Sequence, residues 1–283
     1  IESIEKILLD EKPDVLLVYG DTNSTLAGAL AAKKIHIKVG HVEAGLRSFN
    51  MDMPEEINRI LTDRISDFLY CPTQNAVDNL TAEGFENFKS TVVRTGDVML
   101  DASLYYAQFS AERASLDPEF LKGDFVLCTL HRAENTDDPA RLAELVNALN
   151  TIHKERKVIL PLHPRTRQKL KSFNIELKTD IIDPVGYFDM IELLKHCSLV
   201  MTDSGGLQKE AFFFGKNCVT LRDQTEWVEL VDNGYNVLAR AESHDIILKY
   251  REMSSRKNNF ATNLYGDGKS AEAIVQHLVS HAG

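Results

Sequence analysis

Glu43, Asp52, Glu55 and Glu56 fall within one short stretch, HVEAGLRSFNMDMPEEINR, together with His41, Arg47 and Arg59. Carboxylates presented side by side can take a proton from a substrate and return it, while arginines beside them can hold an anionic group. The stretch follows VLLVYGDTNSTLAGALAAKKIHIKVG, whose apolar runs flank an alanine-rich middle and predict strand, helix, strand. Glu43 then emerges from the carboxyl end of a buried parallel strand, where open α/β sheets bind ligands. Pro54 opens a helix with Ile57, Ile60, Leu61 and Ile65 on one face, which puts Glu55 and Glu56 in its first turn. A carboxylate in that place can simply complement the helix dipole, at ~0.3–1 kcal/mol, and Glu56 is read that way. Glu43, lying between His41, Gly45 and Arg47 on a loop after a strand, is read as a site residue.

Further polar turns follow apolar runs along the chain. Asp14–Tyr19 leads into GDTNST, where Asp21 or Thr22 serves equally well as a helix cap or as part of a phosphate or sugar site. Leu127–Leu130 runs into His131-Arg132-Ala133-Glu134-Asn135, and Val158–Leu162 into His163-Pro164-Arg165. Val200-Met201-Thr202 is followed by Asp203-Ser204-Gly205-Gly206 and a helix carrying Lys209 and Glu210. Glycines without Cβ admit a diphosphate to the backbone, and a helix N-terminus offers N–H groups and partial positive charge. The stretch has neither a Walker spacing nor a GxGxxG, and taken alone it fits a tight turn equally well. Several such turns at strand ends are what favour a ligand site.

The elements that must position these residues alternate strand and helix throughout, which predicts doubly wound parallel sheets. The chain of 283 residues is 43% hydrophobic and 26% charged, enough for two domains with separate cores. The polar stretch 110–123, with Pro118 and Gly123, is read as the boundary, giving domains over 1–118 and 119–262 and a terminal segment over 263–283. Net charge of −10 argues against a nucleic-acid surface, so an anionic ligand needs a local cluster of arginines and helix ends. Cys71, Cys128, Cys197 and Cys218 lie in or beside apolar runs without CxxC spacing, as reduced buried thiols of a cytoplasmic protein do. No apolar run reaches the ~18 residues of a membrane span. The first residue is Ile1, inside a predicted helix, so sequence upstream of it is expected.

GDTNST, HVEAGLRS, MPEEINR, CTLHRAEN, DSGGLQKEA and LRDQTEW, in that order, resemble the non-hydrolysing UDP-N-acetylglucosamine 2-epimerases from Pro13 to Gly234. The resemblance implies the glycosyltransferase-B architecture, two Rossmann-like doubly wound α/β domains facing a cleft. Gly268–His281 would form a helix returning to the first domain. It further implies inversion at C2 of a UDP-linked N-acetylamino sugar, without NAD or metal, for surface polysaccharide precursors. UDP is eliminated to leave a glycal and then added back, which needs acid and base on opposite faces of the ring. Carried over by motif, Asp21, Glu43 and Glu55 form the acid/base group and His131 sits by the diphosphate. Ser204, Gly205 and Gly206 would hold phosphate and Glu210 the ribose hydroxyls, with Arg47, Arg132 and His163 as further substrate contacts. A homodimer is implied as well.

The family's N-terminal strand and glycine-rich loop are not in this chain, so the first domain is expected to lack its N-terminal part. Trp227 stands where the common enzymes carry Arg, and TEWVEL with RSFNMDMPEE looks more like the branch acting on UDP-2,3-diacetamido-2,3-dideoxyglucuronate. A UDP-dependent glycosyltransferase and a non-catalytic UDP-sugar sensor are the alternatives. The first needs fewer acids than Glu43 and Glu55 supply.

Overall fold

The computed structural model describes residues 1–281, which divide into two compact units. Residues Ile1–Ala102 and those from Asn263 onward make the first, and Ser103–Thr262 the second.

In the first unit β1 (Val15–Tyr19), β2 (Lys38–Val42), β3 (Phe68–Cys71) and β4 (Thr91–Arg94) form a parallel sheet in that order. β3 is buried at every residue, as a parallel strand covered on both faces must be. The register pairs Tyr19 with Val42 and Val42 with Tyr70. The carboxyl ends of β1 and β2 are therefore level, and the loops bearing Asp21 and Glu43 leave the sheet side by side. The Ser270–His281 helix packs on this unit, setting Ile274 among Val42, Phe68 and Tyr70.

The Pro54–Ile65 helix reverses the orientation its apolar face suggests. Ile57 and Leu61 are exposed, while Glu56, Asn58, Arg59, Thr62 and Asp63 are buried. Its N-terminal part binds the polar loops at the strand ends through hydrogen bonds and ion pairs, while Ile65 near its end packs against the core of Val18, Ala29 and Val39.

In the second unit β5 (Phe125–Thr129), β6 (Lys157–Pro161), β7 (Asp180–Ile182), β8 (Leu199–Thr202), β9 (Cys218–Thr220) and β10 (Asn236–Leu238) are all parallel, in the order β10-β9-β8-β5-β6-β7. The chain winds one way from β5 through β7 and the other way from β8 through β10. β5 and β8 therefore flank the topological switch point, where doubly wound sheets open a crevice for ligands.

Two expectations about this unit are corrected. The chain enters it at Ser103 rather than after 118, because the polar stretch is tied down. Ser110 Oγ donates to Glu192, and the Ser115 and Leu116 amides donate to Asp189. A helix at Ser243–Ser255, absent from the sequence reading, sets Ile246, Tyr250 and Met253 into the same core as Leu142, Leu145 and Leu149 of the Pro139–Glu155 helix.

Candidate active site

The first unit gathers carboxylates at the ends of β1 and β2. Thr22 caps the Asn23–Lys34 helix by accepting from the Thr25 amide, so the capping role belongs to Thr22. Asp21 instead receives the Arg59 guanidinium, with Nε at 3.0 Å and Nη2 at 2.6 Å from Oδ2. Asn58 donates to the Asp21 carbonyl at 2.9 Å. Glu43 adopts φ +74°, a left-handed conformation uncommon for a residue with a Cβ. Its amide and that of Ala44 both donate to the Tyr70 carbonyl at 3.1 Å, which holds the turn. A Cβ at Gly20 would lie 3.4 Å from Glu43 Oε2, so the Glu43 carboxylate rests over the chain leading to Asp21. Glu55 is exposed in the first turn of the Pro54–Ile65 helix.

Glu56 does more than complement a dipole. Its carboxylate accepts from the Ser48 amide and hydroxyl, the Phe49 amide and Arg59. Burial alone would raise its pKa, but these donors outweigh burial and hold it below the ordinary carboxylate range. Arg47, expected at the substrate, is almost fully buried between Asp63 and Glu83, at 2.7 and 2.6 Å. A guanidinium held by two carboxylates is part of the loop's framework, so Arg47 is withdrawn as a substrate contact.

In the second unit the loops after β5 and β8 meet at the switch point through Asp203. This fully buried carboxylate accepts from the amides of His131 at 3.0 Å and Arg132 at 2.9 Å, and from Asn135 Nδ2 at 3.1 Å. His131 Nδ1 lies 3.2 Å from Asp203 Oδ1. Burial would raise the Asp203 pKa, yet His131 and the surrounding donors lower it, so the group is a fixed anion. His163 caps the Pro164–Ser172 helix, its ring accepting from the Arg165 amide, with its centroid 6.1 Å from that of His131.

Ser204 caps the Gly205–Phe213 helix, leaving Gly205 and Gly206 in its first turn. The reason for a glycine at 205 is visible: a Cβ there would approach Glu226 Oε1 to 2.5 Å. Glu226 in turn takes Arg222 Nη1 at 3.0 Å, and the Lys209 ammonium lies 4.0 Å from the centre of the Trp227 ring. On the same helix Glu210 is 6% exposed, and its Oε1 is buried without a hydrogen-bond partner among the described residues. Burial pushes its pKa up to about 7, against the opposing pull of the Tyr187 hydroxyl and Lys209. A buried acceptor left open beside a glycine-rich helix N-terminus suits a ligand's hydroxyls.

Nothing in the local sequence pattern marks the roles of Asp63 and Arg59. Asp203 carries one available signal, its place immediately after β8. The described residues contain no group of three or more His, Cys, Asp or Glu able to hold a metal ion. All four cysteines are free and buried.

Two parallel α/β units, one with carboxylates at adjacent strand ends and one with a glycine-rich helix start at a switch point, define a Rossmann-like protein suited to nucleotide-linked substrates. The family model for UDP-N-acetylglucosamine 2-epimerase matches residues 1–279, and the chain belongs to that family. It is 55% identical over 276 residues to the UDP-2,3-diacetamido-2,3-dideoxy-D-glucuronate 2-epimerase of Pseudomonas aeruginosa, covering 97% of this chain and 77% of that protein. It is 45% identical over 287 residues to the UDP-N-acetylglucosamine 2-epimerase of Methanocaldococcus jannaschii, covering 97% of this chain and 78% of that one. A crystal structure of the M. jannaschii UDP-GlcNAc 2-epimerase in complex with UDP-GlcNAc and UDP is similar with a TM-score of 0.89 at 43% identity, over 98% of this chain and 79% of that chain.

Proposed function

We propose that this protein is a non-hydrolysing UDP-N-acetylglucosamine 2-epimerase, inverting C2 of the sugar by elimination and re-addition of UDP. The observation that carries the reading is the pairing of Asp21 and Glu43 on loops that leave adjacent parallel strands level with each other. A base removes the C2 proton while the C1–O bond to UDP breaks, leaving a glycal and UDP. An acid then protonates C2 from the opposite face, and the UDP oxygen re-forms the bond at C1. Asp21, Glu43 and Glu55 are the acid/base candidates. The second unit grips the nucleotide: the Ser204-Gly205-Gly206 turn and His131 at the diphosphate, with Arg132 and His163 alongside, and Glu210 at the ribose.

The test is incubation with UDP-N-acetylglucosamine in deuterated water. Epimerisation puts solvent deuterium at C2; bound UDP-sugar without exchange would leave only a sensor, and transfer to an acceptor would mean a glycosyltransferase. Glu43→Gln should lower turnover by ~10²–10⁴ with UDP binding retained, and a wild-type rate would remove Glu43 from the acid/base group.

A second substrate reading is favoured by Trp227 and by the 55% identity to the P. aeruginosa enzyme. An indole offers one N–H and no charge where a guanidinium would stand. A higher kcat/KM for the diacetamido-glucuronate nucleotide than for UDP-N-acetylglucosamine would establish it. No helix among the described residues is long and apolar enough to cross a membrane. A cytoplasmic site of action and a homodimer belong to the proposal, the dimer being tested by sedimentation.

A further inference from the structure

Asp63 joins three points of the loop that carries Glu43. Its Oδ1 lies 2.6 Å from His41 Nδ1, and its Oδ2 accepts from the Gly45 amide at 3.1 Å and Arg47 Nη1 at 2.7 Å. It is fully buried, and so is His41. The other His41 nitrogen, Nε2, lies 2.8 Å from the Gly20 carbonyl. A carbonyl only accepts, so Nε2 carries a proton. With Arg47 keeping Asp63 ionised, a second proton on Nδ1 is needed to avoid a lone pair facing a carboxylate at that distance. His41 is therefore an imidazolium that ties the end of β1 to the Pro54–Ile65 helix. Burial opposes that charge, but Asp63 and the Gly20 carbonyl prevail, and the pKa is raised.

Glu43 is bracketed by this assembly. Two residues before it His41 is held, two residues after it Gly45 is held, and Gly20, beneath its carboxylate, is held by the same imidazole. A left-handed turn at a residue with a Cβ persists only where its surroundings over-determine it. We propose that Asp63 and the His41 imidazolium are positioning residues for the epimerisation, fixing the Glu43 carboxylate against Gly20 and Asp21 for proton transfer at C2. The inference rests on the epimerase reading and adds to it two residues that need not touch the substrate.

The experiment compares Asp63→Ala, Asp63→Asn and His41→Gln in the full-length protein, reading kcat, KM, UDP affinity and C2 deuterium. Asp63→Ala removes all three bonds. Asp63→Asn can restore them around a neutral imidazole, its amide donating to Nδ1 while its oxygen accepts from Gly45 and Arg47. Asp63→Ala should lower kcat by roughly 10²-fold, the effect of an ångström-scale misplacement, with KM and UDP affinity within about twofold, since the nucleotide contacts lie in the second unit. Asp63→Asn should recover most of that loss, because geometry rather than net charge is what it restores. A folded Asp63→Ala with kcat within about threefold of wild type overturns the proposal, and so does an Asn variant as impaired as the Ala one. Where Asp63→Ala does not fold, His41→Gln, which cannot reach Asp63 and Gly20 together, is judged by the same threefold limit on kcat. Absence of C2 deuterium with the wild-type protein defeats the epimerase reading and this proposal together. Deuterium in the wild type with unaltered variants defeats the positioning role alone.

Discussion

Gly45→Ala tests how rigidly the Glu43 loop is held. Gly45 has φ +80°, and a Cβ there would come within 2.4 Å of the Ala76 carbonyl oxygen and 2.9 Å of its carbon. Neither side can yield easily. The Gly45 amide is held by Asp63 and its carbonyl by Asn79, while Ala76 is buried in the first turn of the Gln74–Ala82 helix. The left-handed conformation alone costs an alanine roughly 1–2 kcal/mol, and forcing a methyl into packed backbone adds about 1–3 kcal/mol. Gly84 supplies the control: its φ is +78°, in the same unit, yet its Cβ would meet only Asn87 Nδ2 at 3.5 Å. Gly84→Ala should therefore cost about 1–2 kcal/mol, and Gly45→Ala about 2–5 kcal/mol. Denaturant unfolding followed by circular dichroism measures both. Equal losses for the two variants would show that Ala76 moves aside at no cost, and the rigid account of this loop would be wrong.

Asp203→Ala strands three donors, the His131 and Arg132 amides and the Asn135 amide group, each worth about 1–3 kcal/mol when left unpaired. Calorimetry should show a loss of ~3–9 kcal/mol with weakened UDP binding; Asp203→Asn, which keeps an acceptor, should lose less, and the reverse order would count against the hub. Because the Glu210 pKa is pushed up to about 7, UDP affinity should fall as pH drops below that value, approaching tenfold per unit if only the carboxylate form accepts the ribose hydroxyls. Titrating Glu210→Gln in parallel removes the phosphate's own pH dependence, and matching slopes would dismiss the ribose role. The His41 pKa is raised from 6.5, so its stabilisation is complete below that value and is lost as pH rises through the folded one. The Asp63 pKa is lowered from 3.8, so its contribution is present above that value and lost as pH falls through the folded one. Denaturant midpoints across pH should show both limbs in the wild type and weaker ones in Asp63→Asn; superimposable curves would refute the pairing.

The alternation of strand and helix was legible because parallel strands buried on both faces read as plain apolar runs, as FLYC in β3 does. Glu43 and the Ser-Gly-Gly turn were legible because each directly follows such a run. The inward face of the Pro54–Ile65 helix was not, since periodicity assigns the apolar side to the core. Here Asp21, Ser48, Phe49 and His41 offer the helix polar partners that no local pattern announces. Arg47 was misplaced for the same reason: from sequence a loop arginine looks available, and only the structure brings Glu83 to it. The Ser243–Ser255 helix carries its core residues at 246, 250 and 253, a helical spacing that its charged neighbours obscured.

A helix that buries its polar side is also a statement about the order in which the chain folds. Its bonds reach across the sequence, from Glu56 to Ser48 over 8 residues, Asp63 to His41 over 22 and Arg59 to Asp21 over 38. Stripping water from these charges is unfavourable until every partner stands in place, so β1 and β2 must already be paired before the helix can dock. Its interactions are then expected to form on the downhill side of the folding barrier. Substitutions at Glu56, Arg59 and Asp63 will then leave the refolding rate nearly unchanged and appear as faster unfolding. The acid/base loops are thus expected to take their final geometry only after β1 and β2 have paired.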